Sequence, residues 1–333
     1  MRLHELTPAA GDREEQARRY VEDGCLLVRG AIDRDLVAAV GAQVAAVLRR
    51  WEIARPGAGP EIRWTGRSPD LLDPDELHAV PALRDTDATL RAEVASLLDQ
   101  VCPAPMHVWR GGFLHLTLPD DPAYAGVPHQ DGYSMTTTGD YRRAWIPITP
   151  VAFGDAGLAF AVGSHRRGRL PYRPFPDARR RPATGRPQVD DSPVHGIGPE
   201  LVGDTWHTAA LAPGDAFVFS SETVHLGLPA TSDRIRVAVA VASSGMDDPR
   251  PRATFTAHEH TQRMRRIREH GARLGIAETE FMRIRADLLM TGIPVTEETV
   301  RAAAAGEHAG WRENAPLSQP PTRPASSDRN ASN

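Results

Sequence analysis

A mainly β chain with flanking helices, its strands folded as a two-sheet barrel or jelly roll, is predicted by three features of the sequence. Between residues 106 and 164, and again between 206 and 244, short alternating or apolar runs are bounded by turn residues. No helical crossovers separate those runs, which argues against a parallel sheet. Helical patterns instead gather toward the two ends of the chain.

Taken in order, residues 12 to 51 read as helix, short strand, helix. "DREEQARRYVEDG" is charged with spaced apolar positions, "CLLVRGAI" is an apolar run, and "DRDLVAAVGAQVAAVLRRW" is strongly periodic. Residues 55 to 83 are rich in Pro, Gly and Asp and read as loop with a turn or two of helix. "DATLRAEVASLLDQV" is a further amphipathic helix. From Pro105 the strand runs begin: "MHVWRGGFLHLTL", "RRAWIPITPVAF", "GLAFAVGSH", "WHTAAL", "DAFVFSS" and "RIRVAVAVASS". Residues 166 to 205 hold many Arg, Pro and Gly with little periodicity and are expected to form a long loop, of the kind that makes lids and binding loops. Helical pattern returns over 254 to 310, and residues 316 to 333 are a Pro/Ser tail. The expected organisation is one domain over 1–315, with a helical part at 12–101 and a strand core at 105–245.

Composition narrows the function. The 333 residues are 41% hydrophobic and 25% charged, the balance of a globular chain with a self-sufficient core. No run of about 18 apolar residues exists to span a membrane. Acidic residues in "MRLHELTPAAGDREEQ" occupy the place of a secretory apolar region, and two cysteines make a disulfide framework improbable, so the expected location is the cytoplasm. A net charge of −4 offers nothing to a nucleic acid, which leaves small molecules as the expected partners. All 39 basic residues are arginine, and the absence of lysine removes Schiff-base chemistry.

The stretch "GVPHQDGY" places His129 and Asp131 two positions apart. A His-x-Asp pair alone is weak. In an extended strand, however, i and i+2 point to one face, so both can aim into a barrel interior. His225, after a strand and a turn in "PGDAFVFSSETVHLGL", can supply a third ligand from an opposing strand. Two imidazoles and one carboxylate leave coordination positions open, the arrangement of non-haem Fe(II) oxygenases. In "RIRVAVAVASS", Arg236, Ala238, Ala240 and Ala242 share one face and Val237, Val239 and Val241 the other. Small alanines leave room for a ligand, and a guanidinium at the end of that face can grip a carboxylate in bidentate fashion. Arg234 has the same parity, but its place at the strand entry suits a rim. Tyr133 and Met135 share the inward parity of His129 and are candidates for a substrate wall.

"HQDGY", "GLAFAVGSH" and "LAPGDAFVFSSETVHLGLPATSDRIRVAVAVAS", together with the opening "YVEDGCLLVRGAIDRDLVAAV", resemble the phytanoyl-CoA dioxygenase family of Fe(II)/2-oxoglutarate oxygenases. The likeness runs in order through most of residues 15 to 245. It implies a double-stranded β-helix, cupin-like core, with Fe(II), 2-oxoglutarate and O2 as cofactor and co-substrates. Residue by residue it implies His129, Asp131 and His225 as iron ligands and Arg236 as the anchor of the distal 2-oxoglutarate carboxylate. Gln130 and Trp145 match positions flanking the co-substrate, and Ser232 falls in the family's polar turn. Members often bind the co-substrate with a lysine on the preceding strand; here Thr117 or His115 is the expected replacement. Hydroxylation of a C–H bond is the default reaction, with desaturation, ring closure and epimerisation open to the same chemistry. An all-arginine, alanine-rich composition is that of a GC-rich bacterial genome, whose family members often tailor secondary metabolites.

Two other readings stay open at the level of sequence: a cupin-like metalloenzyme that does not use 2-oxoglutarate, and a non-catalytic jelly roll that binds a small molecule. The loop arginines Arg166, Arg167, Arg169 and Arg179 to Arg181 read as a solvated run. Their weaker alternative reading is attraction of an anionic or carrier-protein-bound substrate.

Overall fold

The computed structural model describes residues 1–67, 80–109, 113–119, 127–132, 141–179, 193–245, 269–276, 281, 284, 288 and 296–305. The chain opens with β1 (Arg2–Glu5), α1 (Arg13–Asp23), β2 (Cys25–Val28) and α2 (Arg34–Arg50). A small hairpin, β3 (Ala54–Pro56) and β4 (Ile62–Trp64), precedes α3 (Pro81–Asp85) and α4 (Asp87–Val101). Then come β5 (Met106–Val108), β6 (Phe113–Thr117), β7 (Tyr141–Pro147), β8 (Leu158–Phe160), a 3-10 turn (Ser164–Arg167), β9 (Tyr172–Arg179) and β10 (Pro193–Ile197). The short helix α5 (Pro199–Val202) leads into β11 (Thr205–Thr208), β12 (Ala216–Ser220), β13 (His225–Gly227) and β14 (Arg236–Gly245), and α6 (Glu297–Ala304) lies near the end.

Local chemistry sets the helix limits. Asp12 caps α1 by accepting from the Glu15 amide at 3.0 Å, and Gly24 ends it in the left-handed region at φ 74°. Asp33 caps α2 through the Asp35 and Leu36 amides. Val37, Val40, Val44, Val47 and Leu48 then form one buried stripe on α2, and Leu90, Val94, Leu97 and Val101 form another on α4.

Those stripes cover the outer face of a six-stranded antiparallel sheet with order β2-β12-β7-β14-β5, β6 pairing the other part of β14. A smaller sheet of order β1-β11-β8-β13 faces its inner side, and His129 adds an isolated antiparallel bridge to His225 at the β13 edge. Along the chain β6 lies in the large sheet, residue 129 against the small one, β7 in the large, β8 and β11 in the small, then β12 large, β13 small and β14 large. This back-and-forth winding is the double-stranded β-helix.

Period-two alternation sorts the side chains. Val237, Val239 and Val241 of β14, Val218 of β12 and Ile146 of β7 join the helix-side core. Ala238, Ala240, Trp145, Phe217 and Phe219 face inward, against Phe160 and Leu158 of the small sheet. The expected faces of β14 are those observed.

Several expectations change. Residues 55 to 83, expected as loop with a turn or two of helix, also take part in a hairpin, in which β3 and β4 pair Ala54 with Trp64 and Pro56 with Ile62. The 166–205 segment carries an antiparallel ribbon, β9 against β10, besides its 3-10 turn and short helix. Pro174, Pro176 and Pro193 hide that ribbon from a reading by alternation; a two-stranded ribbon is all edge, where a missing N–H costs little. β1 is an exposed edge strand running parallel to β11, without an apolar pattern. Of the C-terminal helical pattern, Phe281, Ile284 and Leu288 are described as helical and buried with Val300 and Ala303 of α6. Residues 254–268 and the 316–333 tail lie outside the described residues. Among the described residues no helix is long and apolar enough to cross a membrane.

Phe217 is fully buried between the sheets, 5.0 Å edge-on to Phe160 and 6.1 Å from Trp145 by ring centroids. Phe217→Ala is expected to lower the unfolding free energy by about 3–5 kcal/mol, read from denaturant titration, because the two sheets cannot close over the lost ring.

Candidate metal centre

His129 and His225 are fixed by the backbone before any metal is considered. Each donates its amide to the other's carbonyl, at 2.9 Å and 3.0 Å, which sets their rings side by side with centroids 4.3 Å apart. Each imidazole then turns Nδ1 to the carbonyl two residues earlier, Val127 O at 3.1 Å and Thr223 O at 3.0 Å. A carbonyl only accepts, so the ring proton is assigned to Nδ1 and the Nε2 lone pair is left for a ligand role. Both Nε2 atoms face Oδ1 of Asp131, at 3.9 Å from His129 and 3.8 Å from His225. One ligand atom from each of the three residues lies within 4.8 Å of the others, the one such cluster among the described residues.

The charges are already those a divalent metal requires. Burial would raise the Asp131 pKa, but Arg143 and the two histidines outweigh it and bring the carboxyl down to about 2. Burial, with the neighbouring His129, lowers His225 to about 4 against the pull of Asp131. At neutral pH the carboxylate is ionised and the imidazole neutral, so a metal need not displace protons from either. Two nitrogens and one oxygen suit Fe(II), and His129 is the half-exposed member that opens the site outward.

Deeper in the barrel, Arg236 is buried, with 8% of its surface exposed. Its Nε donates to Ala156 O at 2.9 Å and an Nη to His115 O at 3.2 Å, and its guanidinium lies 5.4 Å from the Trp145 ring centroid. Ala156 holds a left-handed φ of 55°, which presents that carbonyl. No carboxylate pairs with Arg236 among the described residues, and burial alone lowers its pKa to about 10. Thr117 is its direct cross-strand neighbour and His115 stands opposite Ala238, so both share the inward face. Arg234 is engaged at the rim by Asp155 and Glu61, each at 3.4 Å.

Two expected co-substrate contacts are corrected. Gln130, lying between two inward residues, points the other way: its amide nitrogen donates to Gly168 O and Glu222 O, and its oxygen accepts from the Leu170 amide. Its backbone exchanges hydrogen bonds with the Tyr172 hydroxyl, tying the metal motif to β9. Ser232 gives its hydroxyl to Asp155 at 2.6 Å, fastening the β13–β14 turn rather than facing the cavity. Tyr133 and Met135 lie outside the described residues. The loop arginines are not uniformly solvated either, since Arg169 is buried against Glu222 at 3.1 Å. Arg143 was not foreseen. It is inward by parity, two residues before Trp145, and its Nε lies 2.6 Å from Asp131 Oδ2, at angles too oblique for a good hydrogen bond. That parity is the signal that could have found it.

A family model described as phytanoyl-CoA dioxygenase matches residues 20–238. The chain is 28% identical over 234 residues to 1-deoxypentalenic acid 11-beta-hydroxylase of Streptomyces arenae, covering 68% of this chain and 78% of that protein. It is 27% identical over 236 residues, with the same coverages, to the hydroxylase of that name from Streptomyces exfoliatus. Among solved structures, EvdO2 from Micromonospora carbonacea var. aurantiaca complexed with 2-oxoglutarate aligns with a TM-score of 0.46 and 20% identity over 75% of this chain and 99% of its own.

The metal-free protein should lose stability with acid. An unfolded His225 takes up its proton near 6.5 and the folded one only near 4, so between those values the unfolded chain binds more protons. Stability is therefore complete above about pH 6.5 and declines as pH falls toward 4. Denaturant titrations across that window measure the slope, which His225→Gln should flatten.

Proposed function

On the premise that this chain belongs to the phytanoyl-CoA dioxygenase family, as the match across residues 20–238 shows, we propose that it hydroxylates a C–H bond of a small organic molecule of bacterial secondary metabolism. It is an Fe(II)/2-oxoglutarate-dependent oxygenase. In this reading His129, Asp131 and His225 hold the iron through Nε2, Oδ1 and Nε2. Arg236 takes the distal carboxylate of 2-oxoglutarate. The observation that carries the assignment is a buried guanidinium with no carboxylate partner among the described residues, in the same interior as three converging ligand atoms.

Iron bound there supplies dioxygen activation coupled to oxidative decarboxylation of 2-oxoglutarate, giving succinate, carbon dioxide and the hydroxylated product. The chain's own residues orient and exclude. Ala238 and Ala240 keep the inward face of β14 free of bulky side chains next to Arg236. Trp145 floors Arg236, while Thr117 and His115 line the inward face beside it and take the place of a family lysine. Phe160 and Phe219 pack against the His225 ring and keep water from its inner side. The hydroxylase relatives support hydroxylation as the outcome. Of the loop arginines, Arg169 is taken up by Glu222.

Anaerobic addition of Fe(II) and 2-oxoglutarate is expected to give the weak visible charge-transfer band of the chelate, and aerobic turnover to release succinate. Arg236→Leu should raise the 2-oxoglutarate KM about tenfold to a hundredfold, the loss of a charge-assisted pair, and Asp131→Ala should abolish turnover. A folded protein that binds Fe(II) without the band, and turns over without succinate, would favour the metalloenzyme that dispenses with 2-oxoglutarate.

A further inference from the structure

Asp131 has two oxygens, and the fold treats them differently. Oδ1 faces both imidazole Nε2 atoms, at 3.9 Å and 3.8 Å. Oδ2 is turned away, against the Nε of Arg143 at 2.6 Å. Both side chains are nearly enclosed, with 10% of Asp131 and 11% of Arg143 exposed. Arg143 is itself held. It stands on β7 between Phe219 of β12 and Ala242 of β14, and donates an Nη to the Tyr141 hydroxyl at 3.2 Å. Tyr141 packs edge-on to Trp109 at 5.4 Å, and the Trp109 indole donates to Ser244 Oγ at 3.1 Å. The guanidinium therefore hangs from the rigid centre of the large sheet, while Asp131 comes from the opposite side of the barrel.

A carboxylate can ligate through one oxygen or through both, and each oxygen it spends occupies a coordination position. We propose that Arg143 is a positioning residue that keeps Asp131 a one-oxygen ligand and so preserves a coordination position for 2-oxoglutarate. The inference rests on the Fe(II)/2-oxoglutarate reading above and adds a residue to it. Attraction for the metal cannot be the role of Arg143, because a fixed positive charge beside the site repels a divalent cation. The expected signature is thus a separation of two affinities: loss of Arg143 spares the metal and weakens the co-substrate.

Co(II), which does not react with oxygen as iron does, is the probe for both steps. In the wild-type protein, calorimetric titration gives the Co(II) affinity, and 2-oxoglutarate is then titrated into the Co(II) form while its visible bands are followed. Arg143→Met is expected to change Co(II) affinity by less than about threefold, to alter the Co(II) bands before co-substrate is added, and to weaken 2-oxoglutarate by about tenfold or more. Arg143→Lys, which restores a cation without the planar fork, should recover part of the co-substrate affinity. Tyr141→Phe leaves Arg143 in place but unanchored, and should move 2-oxoglutarate affinity in the same direction by less; it also serves if Arg143→Met does not fold, as judged by thermal unfolding. Unchanged 2-oxoglutarate affinity in folded Arg143→Met overturns the inference. So does a parallel loss of Co(II) and 2-oxoglutarate affinity, which would make Arg143 a support of the whole site rather than of the coordination mode. A wild-type protein that binds neither probe removes the metal-site reading itself, and that outcome is distinct from both.

Discussion

A full negative charge lies between two apolar sheets at Asp131, with 7% of the residue exposed, and the arrangement of the barrel follows from answering it. An isolated carboxylate in such a place would take up a proton rather than stay ionised, at a cost of several kcal/mol. Here it stays ionised because Arg143 and two imidazoles converge on it from β7, β13 and the 127–131 segment. Only His129 is local in sequence; Arg143 and His225 come from distant strands. The pair is therefore a tertiary device: the ligand set exists only when the two sheets have closed face to face. Stability and function are coupled at this point, since an unpaired Arg143 or Asp131 would be as damaging to the fold as to the chemistry.

Backbone pairing supplies the rest of the order. The reciprocal bonds between His129 and His225 join the incoming segment to β13, and each ring is then oriented by a carbonyl of its own segment. Two consequences follow from one geometry: both Nε2 atoms are set facing Oδ1 of Asp131, and the tautomer of each ring is chosen. On the other side the 127–131 segment is fastened to β10 by the Ile197 amide on Pro128 O and to β9 by Tyr172. Gly196 makes this possible, because a Cβ there would stand 2.3 Å from Val127 Cγ1. The ribbon that was expected as loop is thus part of the frame of the metal motif.

What was legible in the sequence is what period two controls. The valine and alanine faces of β14 follow from alternation, and the helices follow from their caps and stripes; Asp131 meets His129 as expected, although residues 131–132 are helical and only residue 129 bridges as a strand would. What was not legible depended on pairing between distant segments or on which side of a strand is already spoken for. Gln130 was expected beside the co-substrate through its neighbours in the motif, yet the same alternation that turns His129 inward turns Gln130 outward. Ser232 belongs to a turn whose acceptor, Asp155, is 77 positions away. β1 and the β9–β10 ribbon are edge structures, where exposure and proline erase the apolar signal. Arg143 was readable in principle from its parity with Trp145; its partner was not, because nothing local marks which charge waits across the barrel.

Two buried arginines on the inner face make opposite statements. Arg143 is neutralised inside the protein, so the charge of its pair is zero before any ligand binds. Among the described residues Arg236 has no such partner: its hydrogen bonds go to the Ala156 and His115 carbonyls, its guanidinium stacks over the Trp145 ring, and burial alone lowers its pKa to about 10. Leaving a guanidinium desolvated and unpaired is unfavourable, and the fold bears that cost where a single carboxylate could remove it. In the function proposed above, a ligand that brings one carboxylate to Arg236 and a second oxygen pair to the metal answers both groups at once. A monoacid satisfies one end and leaves the other. In that reading the guanidinium of β14 and the metal ligands of the facing segments together favour a diacid before the identity of the substrate enters.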